Sequence, residues 1–252
     1  MVLVIRKQLF TIEKYMTDKI EYNYKDKINI DLALNKDVFR PTGTTDVLID
    51  TVVNSIKKSG KLLDLGCGSG VVGMVLYKMG KIDKKLYASD INKNAISQLE
   101  NNCLNNNVSV DARVGSTFDP WDEMKFDYIV DDVSGVSESI AEISPWFDNT
   151  SCATGVDGTD LIIDVINKSK LHLNNNGKLF FPVLSLSNVN KIVDYAQKEF
   201  DNVVKLSRKE WVMPEELTGH VDKLRELKGK NIIDYDDKFG MFVWYTDIYV
   251  AW

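Results

Sequence analysis

Two stretches carry the residues best suited to chemistry. In Lys61-Leu-Leu-Asp-Leu-Gly-Cys-Gly-Ser-Gly70, three glycines at alternate positions follow directly on an apolar run. Glycines placed there let the backbone pass close to a ligand where a Cβ would clash, so a cofactor is expected on this turn. Asp90, closing Ala88-Ser-Asp90-Ile91, offers a pair of acceptor oxygens suited to two vicinal hydroxyls. The second stretch is Phe126-Asp-Tyr-Ile-Val-Asp-Asp132-Val-Ser-Gly135. Its Asp132 can orient a protonated amine or accept a proton from a hydroxyl or amine, and Asp131 is the other candidate base. Ser134 is expected beside Asp132 at the acceptor end of a pocket. Competing readings make Asp90 the N-cap of the following helix and Asp132 a loop hydrogen-bond acceptor. Half of a magnesium site at Asp131 and Asp132 lacks any further ligand set, and no metal is expected.

The glycine turn admits a rival ligand. Gly68-Ser-Gly70-Val-Val-Gly73 satisfies the G-x-G-x-x-G pattern of dinucleotide sites, and Asp90 lies near the position of a ribose-binding acid. Such a fingerprint should start where the strand ends, at Gly66. Counted from there the third glycine position is Val71, which is the wrong frame for NAD.

The elements that must hold these residues alternate strand and helix from about residue 45 onward, the pattern of a parallel sheet covered on both faces. Helical spacing over Thr45 to Ile56 precedes the strand Lys61 to Leu65; a helix over Val71 to Lys78 precedes the strand Lys85 to Ser89. A helix from Lys93 to Leu104, a strand around Val108 to Val114 and the strand Phe126 to Val130 follow. The helix Thr159 to His172, the strand Gly177 to Val183 after an Asn-Gly stop signal, and the helix Val189 to Phe200 come next. Strands Asn202 to Leu206 and Met241 to Val250 close the sheet. Asn clusters at 101–107 and 174–176 read as helix ends and loops. Residues 1–40 form a smaller extension in which Ile20, Tyr22, Tyr24, Ile28, Ile30 and Leu32 alternate like a hairpin, a possible substrate cap. Residues 212–240, with Pro214 and charged helical spacing, read as an insertion within the domain 41–252. Here His220 is a possible proton acceptor but better suited to the surface, and Trp211, Met213, Trp244 and Tyr245 can shape an apolar acceptor pocket or simply pack.

The 252 residues suffice for one large domain with a short extension. A hydrophobic share of 44% and a charged share of 27% are ordinary for a globular chain. The net charge of -6 is spread among interspersed lysines and acids, which argues against the basic footprint of a tight nucleic-acid binder. Three cysteines, Cys67, Cys103 and Cys152, show no paired spacing, so neither a disulfide framework nor a zinc site is suggested and a cytoplasmic location is expected. No signal peptide or membrane span is expected.

Asp64-Leu-Gly66-Cys-Gly68-Ser-Gly70 with Asp90 resembles the first motifs of class I S-adenosylmethionine-dependent methyltransferases. The resemblance implies a doubly wound α/β fold: a mostly parallel, Rossmann-like sheet of seven strands whose last strand is antiparallel. It further implies S-adenosylmethionine on Asp64, Gly66, Cys67, Gly68 and Gly70, with Asp90 on the ribose and Ile91 beside the adenine. Ser116, Thr117 and Asp131 are assigned to the same cofactor. Val38-Phe-Arg-Pro41-Thr-Gly-Thr-Thr45 is similar to the segment ahead of the first motif in release-factor glutamine methyltransferases and their small-domain relatives. It implies that Phe39, Pro41 and Thr45 close over the methionine end. Ala153-Thr-Gly-Val-Asp-Gly158-Thr-Asp-Leu161 also resembles that group, so the likeness spans residues 38 to about 183.

One departure separates the chain from those relatives. Asp132, Val133, Ser134 and Gly135 stand where the group has Asn-Pro-Pro-Tyr, which removes the warrant for methylating a glutamine amide or an adenine. The expectation is therefore methyl transfer to an N or O nucleophile, with a small-molecule acceptor slightly favoured over a translation protein or RNA. A non-catalytic cofactor-binding or scaffold protein is the reading from another class.

Overall fold

The computed structural model describes residues 18–133, 135–147 and 152–252. The alternating residues of the extension form an antiparallel hairpin, β1 (Asp18–Tyr24) and β2 (Ile28–Leu34). Ile30, Leu32 and Leu34 of β2 are buried, because alternation puts them on the one face that meets the rest of the chain.

The sheet begins at β3 (Leu62–Leu65), four residues that are all buried because helices cover both faces. The helix before it is α1 (Gly43–Ser55), capped by Thr42 and Thr45 in a reciprocal box. After the glycine turn come α2 (Val71–Lys78), β4 (Leu86–Asp90), α3 (Lys93–Asn105) and β5 (Val110–Val114). Then follow β6 (Phe126–Asp131), the one-turn α4 (Glu138–Ala141), α5 (Asp160–His172), β7 (Leu173–Leu184) and α6 (Val189–Glu199). Last come β8 (Val203–Val212), α7 (Glu215–Thr218), α8 (Val221–Gly229), β9 (Asp236–Lys238) and β10 (Met241–Ala251).

Strand order is β5-β4-β3-β6-β7-β10-β8, with short β9 paired to β10 beyond that path. Neighbours from β5 to β7 are parallel, and β10 runs antiparallel to both β7 and β8. This is the expected doubly wound sheet of seven strands with an antiparallel final strand, plus one short addition. The winding reverses between β3 and β6, which opens a crevice at their C-terminal ends, where open α/β sheets bind ligands.

Two expectations shift. The strand read as starting at Gly177 begins at Leu173, directly after α5, and the Asn cluster lies inside it. Asn176 adopts φ 64° and the pairing slips between Phe126 and Tyr128, so the Asn-Gly pair marks a local irregularity rather than a stop. The strand read as ending at Leu206 continues to Val212, which puts Trp211 and Val212 on β8 and leaves 213–240 as the excursion.

Candidate active site

The glycine turn sits at the C-terminal end of β3, beside the reversal point. Gly66, Gly68 and Gly70 all have positive φ, at 73°, 49° and 83°. Their surroundings differ. A Cβ on Gly70 would lie 2.0 Å from Leu99 Cδ1, so this glycine lets α3 pack against the turn. A Cβ on Gly68 would meet only Phe39 O, at 3.6 Å, so this position faces open space. That is where a ligand approaches the backbone.

Asp90 is fixed across the same opening. Gly68 N–H donates to its Oδ2 at 2.9 Å and Asn92 N–H to its Oδ1 at 2.8 Å. Each oxygen keeps further acceptor capacity, and partial burial pushes the carboxyl above the usual range. The N-cap of α3 is Asn92, whose side chain accepts from Asn94 N–H at 2.9 Å, so Asp90 is free of that duty.

These groups line a cavity of about 940 Å³. Its first half contains Gly66, Cys67, Gly68, Asp90, Ile91, Ser116 and Thr117, and Phe39, Pro41 and Thr45 close it from the α1 side. Ile91 is 73% exposed, an apolar plate at the rim. Cys67 is buried, which pushes its thiol well up and leaves it un-ionised. The far half holds Asp132, Val133, Trp146, Phe147, Trp211 and Trp244. Trp244 stacks obliquely between Trp146 at 5.4 Å and Trp211 at 6.2 Å, and Phe39 meets Phe147 at 5.4 Å between ring centres.

Asp132 stands at the edge of the far half, next to Thr45 of the first. Its amide N–H donates to Leu65 O at 3.0 Å and its Oδ2 accepts from Thr45 Oγ1 at 3.4 Å. Burial and the neighbouring carboxyls of Asp64 and Asp131 push its own carboxyl well above the usual range.

Three expected site residues lie elsewhere. Asp64 is fully buried beneath the turn, where Gly73 N–H donates to its Oδ2 at 2.9 Å, and it ties α2 to β3 rather than lining the cavity. Gly70 faces Leu99, as described. Asp131, offered as base and as cofactor contact, is fully buried at the end of β6, where among the described residues only Val133 N–H donates to its Oδ1, at 3.3 Å. Strand alternation turns it away from Asp132 and out of the cavity wall. Ser134 lies outside the described residues.

Of the insertion and aromatic candidates, Trp211 and Trp244 reach the wall, Met213 is buried in an adjoining apolar cluster, and Tyr245 stacks on the Arg208 guanidinium at 3.6 Å. His220 is exposed at the start of α8. Trp146 and Phe147 escaped the sequence reading. Their adjacent placement after Pro145 was the available signal, and both also pack against the apolar cluster that holds Met213. No described residue of β1 or β2 lines the cavity, whose wall starts at Asp37. Among the described residues no group of three or more His, Cys, Asp or Glu could hold a metal ion, and no helix is long and apolar enough to cross a membrane.

The residues present fit S-adenosylmethionine: open backbone at Gly68, a paired acceptor at Asp90 and an apolar plate at Ile91. Comparison with known proteins agrees. Residues 40–132 match the family model of the methyltransferase small domain. The chain is 29% identical over 135 residues to a ribosomal RNA small subunit methyltransferase C of Haemophilus influenzae, covering 54% of this chain and 35% of the relative. It is 34% identical over 97 residues to a release factor glutamine methyltransferase of Borreliella burgdorferi, covering 38% and 33%. The chain thus spans about a third of the length of these curated relatives. The solved 16S rRNA N2 G1207 methyltransferase of T. thermophilus superposes with a TM-score of 0.61 at 12% identity, covering 93% of this chain and 50% of that one.

Proposed function

We propose that this chain, which carries the methyltransferase small domain over residues 40–132 and has the class I methyltransferase fold, transfers a methyl group from S-adenosylmethionine to a nucleophile on a macromolecule of the translation apparatus. The observation that carries the cofactor half is the pairing of Gly68 with Asp90: an open backbone position and a braced carboxylate, 2.9 Å apart, at the reversal point of the sheet. A dinucleotide would use the same crevice, but its fingerprint is out of frame with the end of β3.

When bound, the cofactor supplies a methyl group already activated by a sulfonium. The chain has only to align the nucleophile, exclude water and take up a proton where one must leave. Asp90 accepts from the ribose hydroxyls, Ile91 covers the base, and Phe39 and Pro41 shelter the methionine end. Asp132, at the edge of the far half where it meets Thr45 of the first, is the group that can hold a proton or orient a nitrogen.

The acceptor reading rests on the relatives, whose printed activities concern ribosomal RNA and a release factor. They favour the macromolecular alternative over the small molecule that charge and extension length suggested. A cytoplasmic location belongs to the same proposal.

Calorimetric titration tests the cofactor directly. S-adenosylmethionine should bind, NAD should not, and Asp90→Ala and Gly68→Val should each abolish binding. Tight NAD binding, or no binding of either ligand by the wild type, overturns the reading.

A further inference from the structure

We infer that the acceptor is an aliphatic amine carried by a polypeptide, received between the tryptophan walls of the far half of the cavity and held at its nitrogen by Asp132. The inference rests on the methyltransferase reading and narrows its acceptor from a macromolecule to one chemical class.

The first argument is the wall. Trp146, Trp211, Trp244 and Phe147 surround the far half, and the ring separations of 5.4 and 6.2 Å make one continuous aromatic surface. The negative faces of such rings attract an ammonium that has shed its water, and the same surface packs well on the methylenes of an alkyl stem.

The second argument is charge. Among the described residues of the cavity wall the acids are Asp37, Asp90 and Asp132, and Arg40 is the one cation. Arg40 is already engaged with Asp18. A wall of net negative charge complements a cation and repels a polyanion, and RNA binding draws most of its strength from Lys and Arg on phosphates.

The third argument is Asp132 itself. Thr45 Oγ1, at 3.4 Å, is the one side chain that donates to it among the described residues, which leaves a half-buried carboxyl on the cavity wall without a counter-charge. An entering ammonium supplies that charge. A neutral amide or nucleobase amine does not.

The chemistry balances. The entering ammonium ionises Asp132, whose proton leaves to water; the carboxylate then takes one proton from the ammonium, and the freed nitrogen lone pair forms a bond to the methyl carbon. The carbon–sulfur bond breaks with its electron pair staying on sulfur, and the sulfonium charge passes to the methylated ammonium. When the product leaves, Asp132 stays protonated, as it was before the ammonium entered.

The test needs no turnover. Quenching of tryptophan fluorescence is titrated with Nα-acetyl-lysine methylamide, with its Nε-acetylated counterpart and with guanosine, on wild type and Asp132→Asn. Cofactor affinity is measured alongside as a check of folding. The free amine should bind at least about tenfold more tightly than its acetylated form, and Asp132→Asn should weaken it by about thirtyfold or more, the usual consequence of removing one partner of a buried charge pair. Preference for guanosine, equal binding of amine and acetylated amine, or unchanged amine affinity in Asp132→Asn would each overturn the inference. The wild-type comparison decides even where the variant fails to fold. Failure of the wild type to bind S-adenosylmethionine would instead strike the methyltransferase reading, so the two failures are told apart.

Discussion

Asp64 and Asp131 are two fully buried carboxyls, each with one oxygen that has no hydrogen-bond partner among the described residues. Burial pushes Asp64 up to about 7 and Asp131 up to about 8. Both values exceed the roughly 3.9 of an unfolded aspartate, so between about pH 4 and those values the folded chain holds protons that the unfolded chain releases. Stability from these groups is therefore full below about pH 4 and declines as pH rises to about 7 for Asp64 and about 8 for Asp131. Asp131→Asn removes that loss, and its advantage over wild type in thermal midpoint should grow from pH 5 and level off at about pH 8. An advantage that stays constant with pH would mean Asp131 is ionised in the folded chain. Both aspartates were legible as members of motifs but not as core residues, because a carboxylate beside a glycine turn looks like a ligand whichever way the strand faces it.

At the scale of elements, the hairpin is joined to the sheet by a set of amide side chains. Gln98 and Asn102 of α3 and its C-cap Asn106, spaced four apart, accept from Asn35, Ala33 and Asp31 N–H of the β2 segment at 2.5, 2.9 and 3.0 Å. Four helical residues rise about 6 Å and two strand residues about 6.6 Å, so the two repeats keep step. Asn102 also donates to Ser69 O at 3.0 Å, which couples this contact to the glycine turn. Asn102→Ala should cost about 2–3 kcal/mol in urea unfolding, since it strands buried backbone groups, and should weaken cofactor binding as well. The neighbour Asn101→Ala, on the exposed side, should do neither. Equal effects from the two would rule out the bridging role. The βα alternation was readable because each element carries its own period, and the glycine turn because it follows its strand directly. The amide bridge was not: the i, i+4 spacing of amides on α3 is visible, but a polar helix face looks solvent-exposed until the strand some 70 residues upstream is known to cover it.

At the scale of the molecule, the sheet carries an apolar cluster on each face, and a third cluster stands apart at the acceptor end. It gathers Val136 and Ile140 from around α4, Leu217, Leu224 and Leu227 from α7 and α8, and Trp244 from β10. Segments roughly a hundred residues apart meet there, which is why the sequence showed helical spacing over 212–240 without showing what that stretch packs against. The separation has an energetic consequence: this cluster can loosen without opening the sheet. Leu224 is fully buried in it and is not among the described residues that line the cavity. Leu224→Ala should lose about 2–5 kcal/mol of local packing. Trypsin should then cut α8 at Lys223, Arg225 or Lys228 many times faster than in wild type, while S-adenosylmethionine affinity changes by less than about threefold, as expected for an opening confined to one cooperative unit. Discrimination between amine and acetylated amine should fall with the same substitution, because Trp244 belongs at once to the cluster and to the cavity wall. A loss of cofactor affinity in step with proteolysis would show that the third cluster and the sheet unfold as one, and that the acceptor wall has no independent freedom to admit a polypeptide side chain.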